Sequence, residues 1–281
     1  MQIARLALML MALSGSAHAQ ERVTFPSADG KTTLVGYVFV PRSPTTPVPA
    51  VVLMHGRAGA YSNAAKGRYD ASTISRRHRM WGALWAANGY VAVLVDGFAP
   101  RGYPAGFPRF SYENRPDVVN EVTVRPLDAY GALTWLRTRK DIAADRIALQ
   151  GWSNGGSATL AAMAAGAGLA PPASLKGFRA ALVFYAGCRL RDRFDDGYRP
   201  YAPVQVFHGT ADEETSYRRC QSLVERSRKA GSDIEITLYP GATHGFDDPG
   251  RVRQNLPANR SAKDDATERA LRFFAERVAA P

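Results

Sequence analysis

The feature that most constrains the fold of this chain is a five-residue pattern, GWSNG, at positions 151–155. The apolar run 146–150 before it is typical of a short buried strand, and the small residues 156–163 after it favour a helix. A strand that turns at once into a helix leaves no room for side chains two positions either side of the turn centre, hence the two glycines. The sequence therefore predicts a sharp strand–turn–helix unit that presents Ser153 at the amino end of a helix.

Further apolar runs predict a sheet that is buried on both faces. They lie at 50–54, 90–95, 146–150, 180–185, 204–207 and 234–239, after a predicted β-hairpin over 22–25 and 34–40. Helical patterns alternate with these strands near 79–88, 127–137, 156–163, 217–230 and 263–279. This alternation indicates an α/β fold with a mostly parallel, doubly wound sheet and helices on both faces. No linker or repeat interrupts the pattern, so we expect residues 20–281 to form one domain.

The first 19 residues are predicted to be a secretory signal peptide. Arg5 precedes an apolar segment over 6–13, and Ala-His-Ala at 17–19 resembles a cleavage site that leaves Gln20 first. The apolar segment is too short to span a bilayer, although an N-terminal anchor helix remains an alternative. No later segment is long and apolar enough to cross a membrane. The mature protein is therefore expected to be exported, to the periplasm or the medium.

The two cysteines, Cys188 and Cys220, agree with that expectation. In an exported protein a single pair of cysteines allows one intramolecular disulfide, and oxidation is the usual state. Two separate buried thiols are the alternative. We expect the disulfide, at the same edge of the sheet as Ser153.

The formal charge of +11 raises the question of nucleic acid. The arginines are scattered, however, and no basic helix or stripe of alternating basic and aromatic residues occurs. The densest clusters, 76–79 and 218–219, are expected on solvated helix faces, with His78 a surface residue. We therefore expect no nucleic-acid partner. The sequence does not indicate an oligomeric state.

Ser153 needs a base to take its proton and a third group to orient that base. His244 follows the last predicted strand, and the carboxyl ends of parallel strands share one edge of the sheet. Asp212 follows the preceding strand in a tight turn, where its carboxylate can fix the imidazole tautomer. Glu213 and Glu214 are rival carboxylates. His208, at the end of that strand, is expected to brace the turn.

An acyl-transfer site also needs two N–H groups directed at the developing negative charge. Asn154, which follows Ser153, is expected to supply one. The other is expected from Arg57, in the glycine-rich loop 55–59 that follows an apolar strand.

Five residues are candidates for substrate contacts. The guanidinium groups of Arg57 and Arg101 can attract a substrate carboxylate, or equally be surface charges or structural braces. Tyr103 and Phe107 lie in the irregular stretch 96–114, and long irregular stretches in compact domains are usually functional. Trp152 adjoins Ser153, although we expect it to pack against the fold rather than line the pocket.

Five motifs in order resemble the dienelactone hydrolase family of α/β-hydrolases, over about residues 30 to 278. They are MHGRAG at 54–59, DGFAPRG at 96–102, GWSNGG at 151–156, HGTAD at 208–212 and THGF at 243–246. The resemblance implies an α/β-hydrolase fold, with Ser153 as nucleophile and Asp212 and His244 as its partners. The namesake enzymes carry cysteine in place of Ser153 and act inside the cell. An exported member with serine looks more like a general esterase.

The sequence thus predicts an exported serine hydrolase that cleaves small-molecule carboxylic esters, or lactones, through an acyl-enzyme and without a metal or organic cofactor. One alternative is a peptidase of the prolyl-oligopeptidase kind, although the chain lacks that family's extra N-terminal region. The other is a hydrolase fold that has lost catalysis and serves as a binding module. The acyl and alcohol groups of the substrate are not indicated.

Overall fold

The structure, a computed structural model, describes residues 20–42, 47–166, 177–194 and 197–279. The predicted signal peptide, residues 1–19, lies outside the described residues. The described residues form one eight-stranded sheet. Its strands are β1 (Glu21–Pro26), β2 (Thr33–Phe39), β3 (Val48–Met54), β4 (Val91–Asp96), β5 (Ile142–Trp152), β6 (Ala181–Phe184), β7 (Val204–Gly209) and β8 (Ile234–Tyr239).

The strand order is β1-β2-β4-β3-β5-β6-β7-β8. The predicted hairpin is confirmed: β1 pairs antiparallel with β2, which in turn pairs antiparallel with β4. The other neighbouring strands are parallel, from β4 through β3 to β8. A mostly parallel sheet of this kind needs covering on both faces, which explains the continuous apolar runs in its central strands.

Helices supply that cover. They are α1 (Arg76–Ala87), α2 (Arg125–Arg137), α3 (Asn154–Met163), α4 (Tyr217–Lys229), α5 (Arg251–Gln254) and α6 (Pro257–Phe274), which continues as a π-helical turn over Ala275–Ala279. α2, α3 and α4 contribute to the core on one face of the sheet, and α1 and α6 to the core on the other. Strand side chains alternate between the two cores, as Val52 and Leu53 do. The predicted doubly wound α/β fold is confirmed.

The topology brings the loops that follow all six parallel strands to one edge of the sheet, and four of these loops carry the predicted triad and N–H donors. These four follow β3, β5, β7 and β8, which are parallel and therefore end at the same side. The second of these loops holds Ser153, the third Asp212 and the fourth His244. Residues more than 90 positions apart in the chain are thus neighbours in the fold.

The predicted disulfide is confirmed. Cys188 and Cys220 are bonded, with an S–S distance of 2.01 Å and a Cα–Cα distance of 5.0 Å. The bond joins the segment after β6 to the first turn of α4, and both residues are buried. Within the described part of the chain, no helix combines the length and apolar character that crossing a membrane requires.

Candidate active site

The turn at 151–155 is as sharp as the sequence predicts. Ser153 has φ 52° and ψ −117°, a conformation that a residue with a Cβ rarely adopts. Its N–H donates to the carbonyl of Phe184, which ties the turn to the end of β6. A Cβ on Gly155 would lie 2.0 Å from the carbonyl oxygen of Met54, and one on Gly151 would lie 2.2 Å from that of Gly155. Both glycines are therefore required by close backbone contacts.

Three side chains form a continuous hydrogen-bond chain at this edge. Ser153 Oγ lies 3.0 Å from Nε2 of His244, and Nδ1 of the same ring lies 2.9 Å from Asp212 Oδ2. An ionised carboxylate only accepts hydrogen bonds, so Nδ1 carries the proton and Nε2 accepts from the serine hydroxyl. The arrangement can remove a proton from Ser153 and keep the resulting imidazolium beside a fixed negative charge.

Asp212 is itself held in place from several sides. Its Oδ1 accepts the N–H groups of Glu214 and Thr215, both at 2.8 Å, and its Oδ2 accepts the Thr215 hydroxyl at 3.0 Å. His208 Nε2 lies 3.2 Å from Oδ2, so it braces the turn as expected. Burial alone would raise the pKa of Asp212, but hydrogen bonds from His208 and His244 hold that pKa below its usual range. Asp212 is therefore a buried carboxylate at neutral pH.

The two predicted N–H donors lie beside Ser153. Asn154 is the first residue of α3, so its N–H has no partner within the helix. The loop that carries Arg57 passes close to the turn, because a Cβ on Gly56 would lie 3.4 Å from Ser153 Cβ. In the described part of the chain neither the Asn154 nor the Arg57 N–H donates to another group. Both remain available to an anionic oxygen.

The Asn154 side chain is fixed by a buried network that sequence reasoning missed. Arg125 donates to its amide oxygen, and its amide nitrogen donates to Glu121 at 3.1 Å. Arg125 and Glu121 are both fully buried, and the Arg125 guanidinium also lies 4.8 Å from the centre of the Phe98 ring. The network holds the start of α3 against the start of α2.

The Arg57 side chain is bound by the protein itself. Its Nε and Nη2 donate to the two carboxylate oxygens of Glu214, at 2.8 and 3.2 Å, and its Nη1 donates to the carbonyl of Phe107. Arg109 also donates to Glu214, at 2.8 Å. Glu213 accepts the N–H of His244 at 2.9 Å. The two rival carboxylates thus position neighbouring groups, while Asp212 faces the imidazole Nδ1.

A cavity of about 440 Å³ opens in front of Ser153 and His244. Its wall is largely polar, and apolar side chains such as Ala58 and Ala64 are small. The charged and hydrogen-bonding residues that line it include Arg57, Tyr61, Ser62, Asn63, Ser75, Arg76, Arg77, Glu214, Asp248 and Arg253. Among the described residues, no group of three or more His, Cys, Asp or Glu is arranged to hold a metal ion.

Four of the five candidate substrate contacts are not among the described residues that line the cavity, and Trp152 packs within the fold as expected. Arg101 is bound by Asp128 and Asp29, each at 2.8 Å, and is a buried brace between the 97–102 loop, α2 and the β1–β2 turn. Trp152 is fully buried and does not line the cavity. Tyr103 and Phe107 are also absent from the described residues that line the cavity. Their rings pack on each other, with the ring centres 5.1 Å apart. Only Arg57 among the five candidates reaches the cavity wall.

The expectation that His78 is a surface residue is wrong. It is 3% exposed, and its Nδ1 lies 3.0 Å from the carbonyl oxygen of Ala60. Arg77, on the same helix, pairs with the fully buried carboxylate of Asp247 at 3.2 Å. A helix rich in Arg and His is typical of a solvated face, and its partner carboxylate lies 170 positions away in the sequence. No local pattern indicates that partner.

Solved structures of several proteins share this fold. Thermogutta terrifontis esterase 2, with propionate bound, is 22% identical, with a TM-score of 0.64 over 94% of this chain and 97% of that chain. A dienelactone hydrolase-like promiscuous phosphotriesterase from metagenomic libraries, P91, is 18% identical, with a TM-score of 0.64 over 92% and 99% of the two chains. A putative dienelactone hydrolase from Klebsiella pneumoniae is 17% identical, with a TM-score of 0.66 over 91% and 99%. At these identities the likeness concerns the fold. The model of the dienelactone hydrolase family matches residues 34–278, and the chain therefore belongs to that family of hydrolases.

Proposed function

We propose that this protein is an exported serine hydrolase that cleaves carboxylic esters, or lactones, through a covalent acyl-enzyme. The observation that carries the proposal is the hydrogen-bond chain from Ser153 through His244 to Asp212, with distances of 3.0 and 2.9 Å. The family assignment supports a hydrolytic reaction. The disulfide is compatible with export, since disulfides persist in oxidising compartments.

In the proposed reaction, His244 Nε2 takes the Ser153 proton as Oγ attacks the ester carbonyl. The carbonyl oxygen becomes an oxyanion that accepts the N–H groups of Asn154 and Arg57. The imidazolium then gives its proton to the leaving alcohol, which departs and leaves an acyl group on Ser153. A water molecule, deprotonated by His244, attacks the acyl carbonyl, and Ser153 recovers its proton as the acid leaves. Asp212 stays ionised throughout.

The size and lining of the cavity support a small, polar substrate. A volume of about 440 Å³ admits a short acyl group with a modest alcohol. A wall of arginines, serines and an asparagine offers hydrogen bonds but little apolar surface for a long alkyl chain. We therefore expect acetyl and propionyl esters to be better substrates than octanoyl esters.

Labelling with a fluorophosphonate probe tests the nucleophile. Such probes phosphonylate an activated serine, and Thermogutta terrifontis esterase 2 is recorded as phosphonylated by sarin. We expect stoichiometric labelling of the protein and none of Ser153→Ala. Ser157→Ala is the matched control, since Ser157 is buried in α3 and should leave labelling intact. A folded wild-type protein that resists the probe contradicts the proposal and favours the binding module.

A substrate comparison then separates esterase from peptidase. We expect 4-nitrophenyl acetate to be hydrolysed at least about a thousand times more efficiently than peptide 4-nitroanilides, since an anilide carbonyl is less reactive and no site for a peptide chain is evident in the described residues. Preferential cleavage of the anilides would overturn the assignment to esters. Export is tested separately, by the N-terminal sequence of the mature protein, which we expect to begin at Gln20.

A further inference from the structure

A second carboxylate enters the proposed active site beside the base. Glu214 lies two residues after Asp212, lines the cavity, and places Oε2 3.8 Å from His244 Nε2. Nε2 is the nitrogen that faces Ser153, so Glu214 approaches the reacting side of the imidazole ring. Its side chain is only 8% exposed. A carboxylate in this position acts on any charged group that a substrate brings to the serine.

Glu214 also binds Arg57, an arginine of the cavity wall whose loop passes close to the serine turn. The Arg57–Glu214 pair is bidentate, with N–O distances of 2.8 and 3.2 Å, and Arg109 binds the same carboxylate from outside. A bidentate fork is the geometry in which a guanidinium binds a substrate carboxylate. Because Arg57 Nε and Nη2 donate to Glu214 and Nη1 donates to the carbonyl of Phe107, the guanidinium has no pair of free donors for a second carboxylate.

Glu214 keeps its negative charge over the working pH range. Burial would raise its pKa, but the hydrogen bond from Arg57 and the charges of Arg57 and Arg109 lower that pKa to about 2. The wall of the cavity beside His244 therefore holds a closed ion pair. A substrate carboxylate placed there would meet one negative charge and a guanidinium that is already bound.

We propose that Glu214 is a specificity-determining residue, which by pairing with Arg57 makes the enzyme select uncharged esters over anionic ones. The inference rests on the proposed ester hydrolysis and adds the charge class of the substrate. Arg76, an exposed guanidinium at the cavity wall, makes no ion pair among the described residues and attracts anions to the entrance. Glu214 acts beside the reacting nitrogen of His244, where the acyl and alcohol groups must sit for attack.

The test uses two acetyl esters that differ in charge, 4-acetoxybenzoate and 4-acetoxybenzamide. Both release a phenol, and the ratio of their kcat/KM values measures selection by charge. Comparing this ratio between variants cancels the difference in leaving groups and the contribution of Arg76. Glu214→Gln removes the charge, keeps the size and releases Arg57. We expect the anionic-to-neutral ratio to rise about tenfold, the effect of one unit charge at the distance of a neighbouring subsite.

A double-mutant cycle identifies the residue that binds the anion. Arg57→Leu keeps the backbone N–H of residue 57 and should lower the anionic-to-neutral ratio, since Glu214 then keeps only Arg109 as a cationic partner. Arg57→Leu combined with Glu214→Gln removes a neutral pair and should return the ratio to within about twofold of wild type. Glu268→Gln is the matched control, because Glu268 is also a glutamate but is 77% exposed on α6 and does not line the cavity.

Each outcome decides the inference. An unchanged ratio in Glu214→Gln, or an equal rise of the ratio in Glu268→Gln, overturns the role of Glu214. A rise that survives in the double variant overturns the role of Arg57. A merely structural defect would lower kcat/KM for both substrates by the same factor. Thermal melting of each variant checks that it folds. Wild-type protein that hydrolyses neither ester contradicts the proposed function, whereas hydrolysis with an unchanged ratio contradicts this inference alone.

Discussion

At the scale of single residues, each atom of the proposed triad has one partner that its chemistry requires. Nδ1 of His244 meets a carboxylate and Nε2 meets a hydroxyl, so the neutral imidazole has only one tautomer that satisfies both contacts. The backbone of Ser153 is strained, with φ 52°. Its hydrogen bond to the carbonyl of Phe184 and the close packing of Gly155 maintain this conformation. The serine hydroxyl is thereby directed at the imidazole rather than into the helix.

The substitution Asp212→Asn should abolish most activity without unfolding the protein. An asparagine can donate to Nδ1 and so favours the wrong tautomer, in which Nε2 carries the proton and cannot accept one from Ser153. We expect kcat for 4-nitrophenyl acetate to fall about 10³–10⁴-fold, the loss typical of this change in a serine triad, with little effect on KM. Glu213→Gln, one residue along, should cost less than about tenfold in kcat. A small loss in Asp212→Asn would assign the orienting role to another carboxylate.

At the scale of elements, one buried carboxylate joins the parts that carry the triad. Asp247 Oδ2 accepts the indole N–H groups of Trp81 and Trp152, each at 2.8 Å. Its Oδ1 accepts the hydroxyl of Tyr185 and lies 3.2 Å from Arg77 Nε. These partners belong to α1, the end of β5 and the segment after β6, while Asp247 itself lies three residues after His244. The carboxylate therefore connects the serine turn to the histidine loop.

The substitution Asp247→Asn tests this connection. Asn keeps one acceptor oxygen but replaces the other with an amide NH2 group, a donor that faces other donors at a fully buried site. We expect the free energy of unfolding to fall by about 3 kcal/mol, as when one partner of a buried pair is removed. Urea denaturation measures it. Asp248→Asn is the control: that carboxylate also pairs with Arg77 but is 34% exposed, and its loss should cost less than about 1 kcal/mol. Equal losses would show that Asp247 is not the connecting group.

The elements themselves follow from local sequence patterns, and the contacts between them do not. Apolar runs such as 50–54 and 90–95 indicate strands that are buried on both faces of the sheet. The glycines at 151 and 155 indicate that two backbone segments approach closely there. These signals predict the sheet, the turn and the edge where the triad meets. The Arg57–Glu214 pair joins residues 157 positions apart, so each charge in isolation resembles a surface group. In the sequence, Arg101 allows both a substrate-binding and a structural interpretation for the same reason.

At the scale of the whole molecule, the disulfide closes a loop between residues 32 positions apart and links the segment after β6 to the first turn of α4. Closing such a loop is expected to stabilise the folded state by about 3–4 kcal/mol on the chain-entropy estimate. The double substitution Cys188→Ser and Cys220→Ser should then lower Tm by about 6–16 °C. Wild-type protein held in reducing agent should melt near the double variant, and equal Tm values with and without reductant would contradict the prediction.

The Arg57–Glu214 ion pair should also affect how far the free energy of unfolding falls when the pH is lowered. Glu214 has its pKa lowered from 4.5 to about 2, so the folded state binds its proton less tightly than the unfolded state does. Its stabilisation is therefore fully present above about pH 5 and is lost as the pH falls towards 2. We expect wild-type protein to lose about 2 kcal/mol more than Glu214→Gln in unfolding free energy between pH 6 and pH 3. Urea titrations at a series of pH values give this difference.

Glu268→Gln removes an exposed carboxylate on α6 and is the control, which should follow the wild-type curve. Parallel curves for wild type and Glu214→Gln would show that the Arg57–Glu214 pair does not contribute to stability at acid pH.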